Sequence, residues 1–166
     1  MRRFTSAAKP AAYHLTGRGT GVQCHMNRGD GLVMATDVPV RMGGTDSAPQ
    51  PVELFLTSLC GCELATAQFV ARHMTPRLTI EKIEFSIHAV RDPAGALTLP
   101  LSSPAPPARL ERIWGTATVF TSASQVQVDE LSEHVKQRCP VANMAVLSGC
   151  KLDIKWRQMD PDDDED

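Results

Sequence analysis

The reactive side chains of this chain are five cysteines: Cys24, Cys60, Cys62, Cys139 and Cys150. An odd count does not fit a fully paired extracellular framework, so it points to a reducing compartment. Cys60 and Cys62 stand two apart, and on a helix their side chains diverge by about 200°. They cannot share one pocket, so one of them faces a site or neither does, and a disulfide between them would break the helix. Cys139 is the natural distant partner. It precedes Pro140 and so occupies the N-cap of a following helix, where the dipole and unpaired N–H groups favour thiolate. Arg138 adds positive charge beside it. Taken singly, a free cysteine is a small buried hydrophobe, and that is the reading for Cys24, Cys150 and, on residue type alone, Cys60.

Zinc is the rival chemistry, with Cys60, Cys62, Cys139 and His73 or His134 as soft ligands. No Cys-x-x-Cys or His-x-x-x-His spacing supports it, and no metal or cofactor is expected. There is also no phosphate-cradling glycine motif, serine-nucleophile elbow or paired-carboxylate signature.

The stretch that must position Cys60 and Cys62 is Pro51–His73. From Leu54 to Ala67 it carries a single charge, Glu63, and apolar or small residues fall on every side of the wheel. Such a helix is buried. Pro51 suits its first position, Glu53 its first turn, Arg72 and His73 its last, and Pro76 forbids continuation. Its uncharged part falls short of the roughly 20 apolar residues that span a bilayer, so no membrane role is expected.

Around it, Val22–Asn27 and Leu32–Thr36 read as strands about the turn Arg28-Gly29-Asp30-Gly31. Arg41–Gln50 is a loop whose Gly43-Gly44 pair permits backbone angles closed to other residues. Ile80–Val90 and Arg112–Thr121 are strands by alternation and β-propensity. They pair across Arg91–Arg109, a proline-rich loop expected to be mobile. Ser124–Arg138 is a helix, Val141–Leu147 a short helix ended by Gly149, and Lys151–Arg157 a last strand. The fold class is α+β.

At 166 residues with 42% hydrophobic content the chain is long and apolar enough for one domain with its own core. A net charge of −2, without a basic stripe, gives no support to nucleic-acid binding. The expected organisation is an N-terminal arm over 1–20, a single domain over 21–158 and an acidic tail over 159–166. MRRFTSAAK is Arg-rich and acid-free, which fits either an organelle transit segment or a basic disordered start. The expected location is therefore the cytoplasm or the mitochondrial matrix.

Two motifs resemble a known family. GGTDSAPQPVELFLTSLCGC, followed far downstream by CPVANMAVLSG, looks like the OsmC/Ohr family of osmotically inducible and organic hydroperoxide resistance proteins. The first motif has Gly-Gly, a Pro-x-Glu-Leu helix start and a cysteine eleven residues after that proline. The second has Cys-Pro-x-x-Asn, and Asp37 and Pro39 fit more loosely. The resemblance covers roughly Leu32 to Arg157. It implies an intertwined homodimer with long central helices wrapped by antiparallel sheets from both chains. It also implies a thiol peroxidase acting on organic hydroperoxides and hydrogen peroxide, reset by a dithiol reductant of lipoyl type.

Residue by residue, Cys62 falls on the peroxidatic cysteine and Cys139 on the resolving one. Cys60 stands where relatives have a small residue and is not carried over; Asn143 completes the second motif. The family's activating glutamate position holds Val52, with Glu53 next to it. Arg18 and Arg41 are the candidate cations, and Phe55, Leu59 and Phe69 the candidate apolar walls. Val52 and the extra Cys60 leave open a second reading, a redox-responsive or small-ligand-binding dimer without significant turnover.

Overall fold

A computed structural model describes residues 10–163. The transit-like segment therefore lies outside the described residues, apart from its flank, and so does the end of the acidic run. The chain divides into two compact units, with the break between Phe55 and Leu56.

The first unit holds a three-stranded antiparallel sheet, β1 (Thr16–Thr20), β2 (Gln23–Asn27) and β3 (Val33–Thr36), in that order. β1 falls within the segment read from sequence as an arm. All five of its residues are exposed, so it has no apolar alternation to announce it. After β3 the chain turns on Asp37, which is fully buried. Its carboxylate accepts from the Thr45 hydroxyl at 2.7 Å, the Ser47 hydroxyl at 3.0 Å, the Gln23 amide at 3.2 Å, and the Val38, Thr45 and Ser47 backbone N–H groups. The Thr45 hydroxyl foremost holds this carboxyl far below the usual carboxylate range, against its burial. The glycine pair is needed here for two reasons. Gly43 takes φ 88° at the end of a 3-10 turn, Val40–Met42. A side chain on Gly44 would collide with the Val38 carbonyl and come within 2.6 Å of Asp37 Oδ1.

Helix α1, Pro51–Ala71, starts where the sequence places it, with the Glu53 carboxylate accepting the Gln50 N–H at 2.8 Å. At 21 residues, and apolar over most of its length, it has the length and composition of a membrane span. That is longer than the uncharged run implied. Midway along it stands Glu63, ionisable and 2% exposed. The helix is not buried all round, as the sequence implied. Leu59, Glu63, Ala67, Val70 and Ala71 are buried, while Thr57, Ser58, Gly61, Ala65 and Phe69 are exposed. Gly61 meets no close backbone: a side chain there would find nothing within 4 Å.

The second unit contains β4 (Lys82–Arg91), a short helix α2 (Ala94–Leu97) inside the proline-rich segment, β5 (Leu110–Phe120), α3 (Gln125–Arg138), α4 (Pro140–Leu147) and β6 (Lys151–Met159). β4 and β5 pair antiparallel as expected. β6 runs parallel to β5, so this sheet is mixed where the resemblance implied antiparallel sheets. Parallel neighbours need a long crossover, and α3 with α4 is that crossover, packed on β6. α3 opens on a reciprocal cap in which the Ser124 side chain accepts from the Gln127 N–H and Gln127 returns a bond. Val128, Leu131 and Val135 of α3, Ile113, Ala117 and Val119 of β5, and Ile154 and Trp156 of β6 form the core.

Candidate functional site

The α3–α4 junction is built by proline and cysteine together. Pro140 cannot donate a hydrogen bond and so starts α4. Cys139 is left as N-cap, with extended backbone at ψ 112° and zero exposure. Its sulfur accepts from the Ala142 N–H at 3.5 Å. Its carbonyl accepts from the Asn143 N–H at 3.0 Å and from the Asn143 side-chain amide at 2.8 Å. Asn143 thus clamps the turn that aims Cys139.

Cys62 of α1, half-buried, lies near enough to Cys139 to push its thiol upward. Cys60 is also half-buried, but helical geometry turns it some 200° away from Cys62. Burial pushes the Cys60 thiol upward, and the Glu63 charge adds to this.

The sequence placed Cys139 where its thiolate should be favoured. The Ala142 N–H does act in that direction, but burial outweighs it, and the Cys62 thiol and the Glu63 charge add to burial. The Cys139 thiol is pushed up to about 11. Arg138 does not counter this. Its guanidinium turns back along α3 to the His134 ring at 3.2 Å.

Glu63 is the residue that no sequence motif marks. It is 2% exposed, and its Oε2 has no hydrogen-bond partner among the described residues. Burial raises its carboxyl to about 7, against a smaller opposing pull from Lys136. It opens into a cavity of about 230 Å³ whose polar end is Glu63, Lys136 and Asn143 and whose apolar walls include Ala142, Ile154 and Trp156. The signal was in the sequence: a lone carboxylate inside an uncharged helical run, next to Cys62, is costly unless it is used.

The other candidates are not among the residues that line this cavity. Leu59 is fully buried, and Phe55 is half-buried near the start of α1. Phe69 is 59% exposed and lies against the His73 ring, with centroids 4.5 Å apart. It lines a separate groove with Met74, Glu130 and His134. Arg18 is an exposed β1 residue opposite His25, and Arg41 is exposed in the 3-10 turn; both belong to the first unit. Among the described residues no three His, Cys, Asp or Glu side chains gather to hold a metal ion.

A long apolar helix and a short helix capped by Cys139, with a mixed sheet, make up the α+β frame that known proteins share. The chain belongs to the family of OsmC-like proteins, whose model matches residues 44–155. The fold is shared with an OsmC-like protein from Mycoplasma pneumoniae, at 20% identity and TM-score 0.71, covering 90% of this chain and 98% of that one. It is shared too with an organic hydroperoxide resistance protein, OsmC, from Legionella pneumophila, at 19% identity and TM-score 0.63, with 90% and 98% covered. OhrB, the organic hydroperoxide resistance protein of Bacillus subtilis, gives 19% and 0.57, with the same coverage. No curated protein matches the sequence.

Proposed function

We propose that this protein is a thiol-dependent peroxidase that reduces organic hydroperoxides. The observation that carries the reading is the meeting of Cys62 and Cys139, distant in sequence, as neighbouring thiols in the interior. The Cys62 thiolate attacks the outer peroxide oxygen and the O–O bond breaks. The alcohol leaves with a proton, and Cys62 becomes a sulfenic acid. Cys139 then displaces hydroxide from that sulfur to give the disulfide and water. A dithiol of lipoyl type returns both cysteines to thiols by exchange and is itself oxidised to a disulfide. The cavity at Glu63, the residue after Cys62, has apolar walls that suit a peroxide with an organic body. The names of the Legionella and Bacillus proteins support the same substrate class.

The working form we propose is a homodimer, in which a second copy covers the face of α1 that carries Gly61, Ala65 and Phe69. Five free thiols suit the reducing cytoplasm or mitochondrial matrix.

The test is consumption of cumene hydroperoxide with a dithiol reductant. Cys62→Ser should abolish turnover, and Cys139→Ser should accumulate a trappable sulfenic acid. Equal rates in wild type and Cys62→Ser would reject the reading. A second reading, a redox-responsive or ligand-binding dimer without significant turnover, draws on the raised Cys139 thiol, which slows resolution. It predicts one round of disulfide formation and no sustained cycle.

A further inference from the structure

We propose that Glu63 is the proton carrier of disulfide formation, taking the proton of the Cys139 thiol and delivering it to the hydroxide that leaves Cys62. The inference rests on the peroxidase reading and deepens it.

Resolution needs a base. Cys139 is fully buried, and its thiol holds its proton well above neutral pH, so its thiolate is scarce when it must attack. It also needs an acid, because hydroxide is a poor leaving group unless it is protonated as it departs. One group that gives up at one sulfur what it took from the other meets both needs, and the sum balances. The thiol of Cys139 and the sulfenic acid of Cys62 become a disulfide and one water, with the carrier unchanged.

Glu63 is placed for this. It follows Cys62 in the helix, and its field reaches Cys139. Its Oε2 is buried without a partner among the described residues, so a lone pair is available for a proton. Ala142, whose N–H bonds the Cys139 sulfur, lines the same cavity as Glu63. At about 230 Å³ that cavity has room for a water at the Glu63 carboxyl, on the side of Ala142, whose N–H bonds the Cys139 sulfur. A carboxyl that titrates near 7 can act both as base and as acid at neutral pH. The titratable groups around it are few. α1 supplies Cys60 and Cys62, α3 supplies Lys136, and the α3–α4 junction supplies Cys139. α4 and β6 contribute Ala142, Asn143, Val146, Leu152, Ile154 and Trp156 to the cavity, none of which titrates.

The experiment is a single turnover of the reduced full-length protein with one equivalent of cumene hydroperoxide. Peroxide loss reports the first step and appearance of the Cys62–Cys139 disulfide the second, over a range of pH. In wild type the second step should accelerate as pH rises through about 7. Glu63→Gln should slow it about 10²-fold relative to the first step, the scale of general acid–base catalysis. The variant should also lose the acceleration near 7, keeping only the rise toward the thiol's own ionisation. Wild type decides the matter even if the variant fails to fold: a second step that is flat between about pH 6 and about pH 8, or that rises about tenfold per pH unit without levelling above about 7, overturns the proposal. An unchanged rate ratio and pH profile in Glu63→Gln also overturn it, while leaving the peroxidase reading intact. If wild type consumes no peroxide, both fall together.

Discussion

Glu63 folds with its carboxyl at about 7, against 4.5 for an ordinary glutamate, and burial is the main cause. The folded state therefore holds the proton more tightly than the unfolded chain does. The stability this contributes is fully present below about 4.5 and is lost as pH rises through about 7. A shift of this size corresponds to about 3 kcal/mol across that window. Glu63→Gln should thus flatten the fall in stability between those two pH values. It should leave the variant more stable than wild type at about pH 8, by up to about 3 kcal/mol, as read by urea unfolding. An identical pH slope in the two proteins would mean that the carboxyl is solvated. The sequence isolates this residue as the only charge between Leu54 and Ala67 but offers no motif to attach it to. Its neighbours Lys136, Ala142 and Trp156 arrive from three other elements.

At the scale of elements, the two turns that shape the candidate site and the entry to α1 are held by side chains on backbone. Asn143 bonds the Cys139 carbonyl at 2.8 Å. Asn143→Ala should cost about 1 kcal/mol and slow Cys62–Cys139 disulfide formation more than peroxide consumption, because Cys139 loses its aim. Asp37 gathers the loop before α1 through Thr45 and Ser47. Asp37→Ala should raise hydrogen exchange at the Thr45 and Ser47 amides well above that of the α3 interior, and unchanged protection would show that the loop is held by other means. Because its folded carboxyl is depressed, this contribution is present above the ordinary carboxylate range and fades as pH falls below it. The local signals for these elements were legible. Pro51 starts α1, Pro140 starts α4 and makes Cys139 its cap, and alternation marks β4. β1 and α2 were not legible, since an all-exposed strand and a single turn among prolines leave no periodic pattern.

For the whole molecule, the decisive feature is the exposed side of α1, where Phe69 is 59% exposed beside small Ala65 and Gly61. A second copy covering this face would give the helix the all-round burial its composition calls for. Light scattering should then report twice the chain mass of 18.0 kDa. Ala65→Glu, which puts a charge on that face without disturbing the core of its own subunit, should shift the mass toward a single chain. A monomeric wild type would remove the dimer from the account.

By itself the sequence determined what depends on neighbours along the chain: where helices begin and end, which strands alternate, and that Cys139 caps α4. Its two motifs also tied the chain to a family. Tertiary structure alone decided what depends on neighbours through space. The direction of β6 follows from the crossover through α3 and α4, not from Lys151–Met159 itself. The proton affinity of Cys139 is set by burial against Cys62 and Glu63, which overrides the helix terminus that sequence could see. Desolvation and pairing are properties of the folded surroundings, and no run of residues carries them alone.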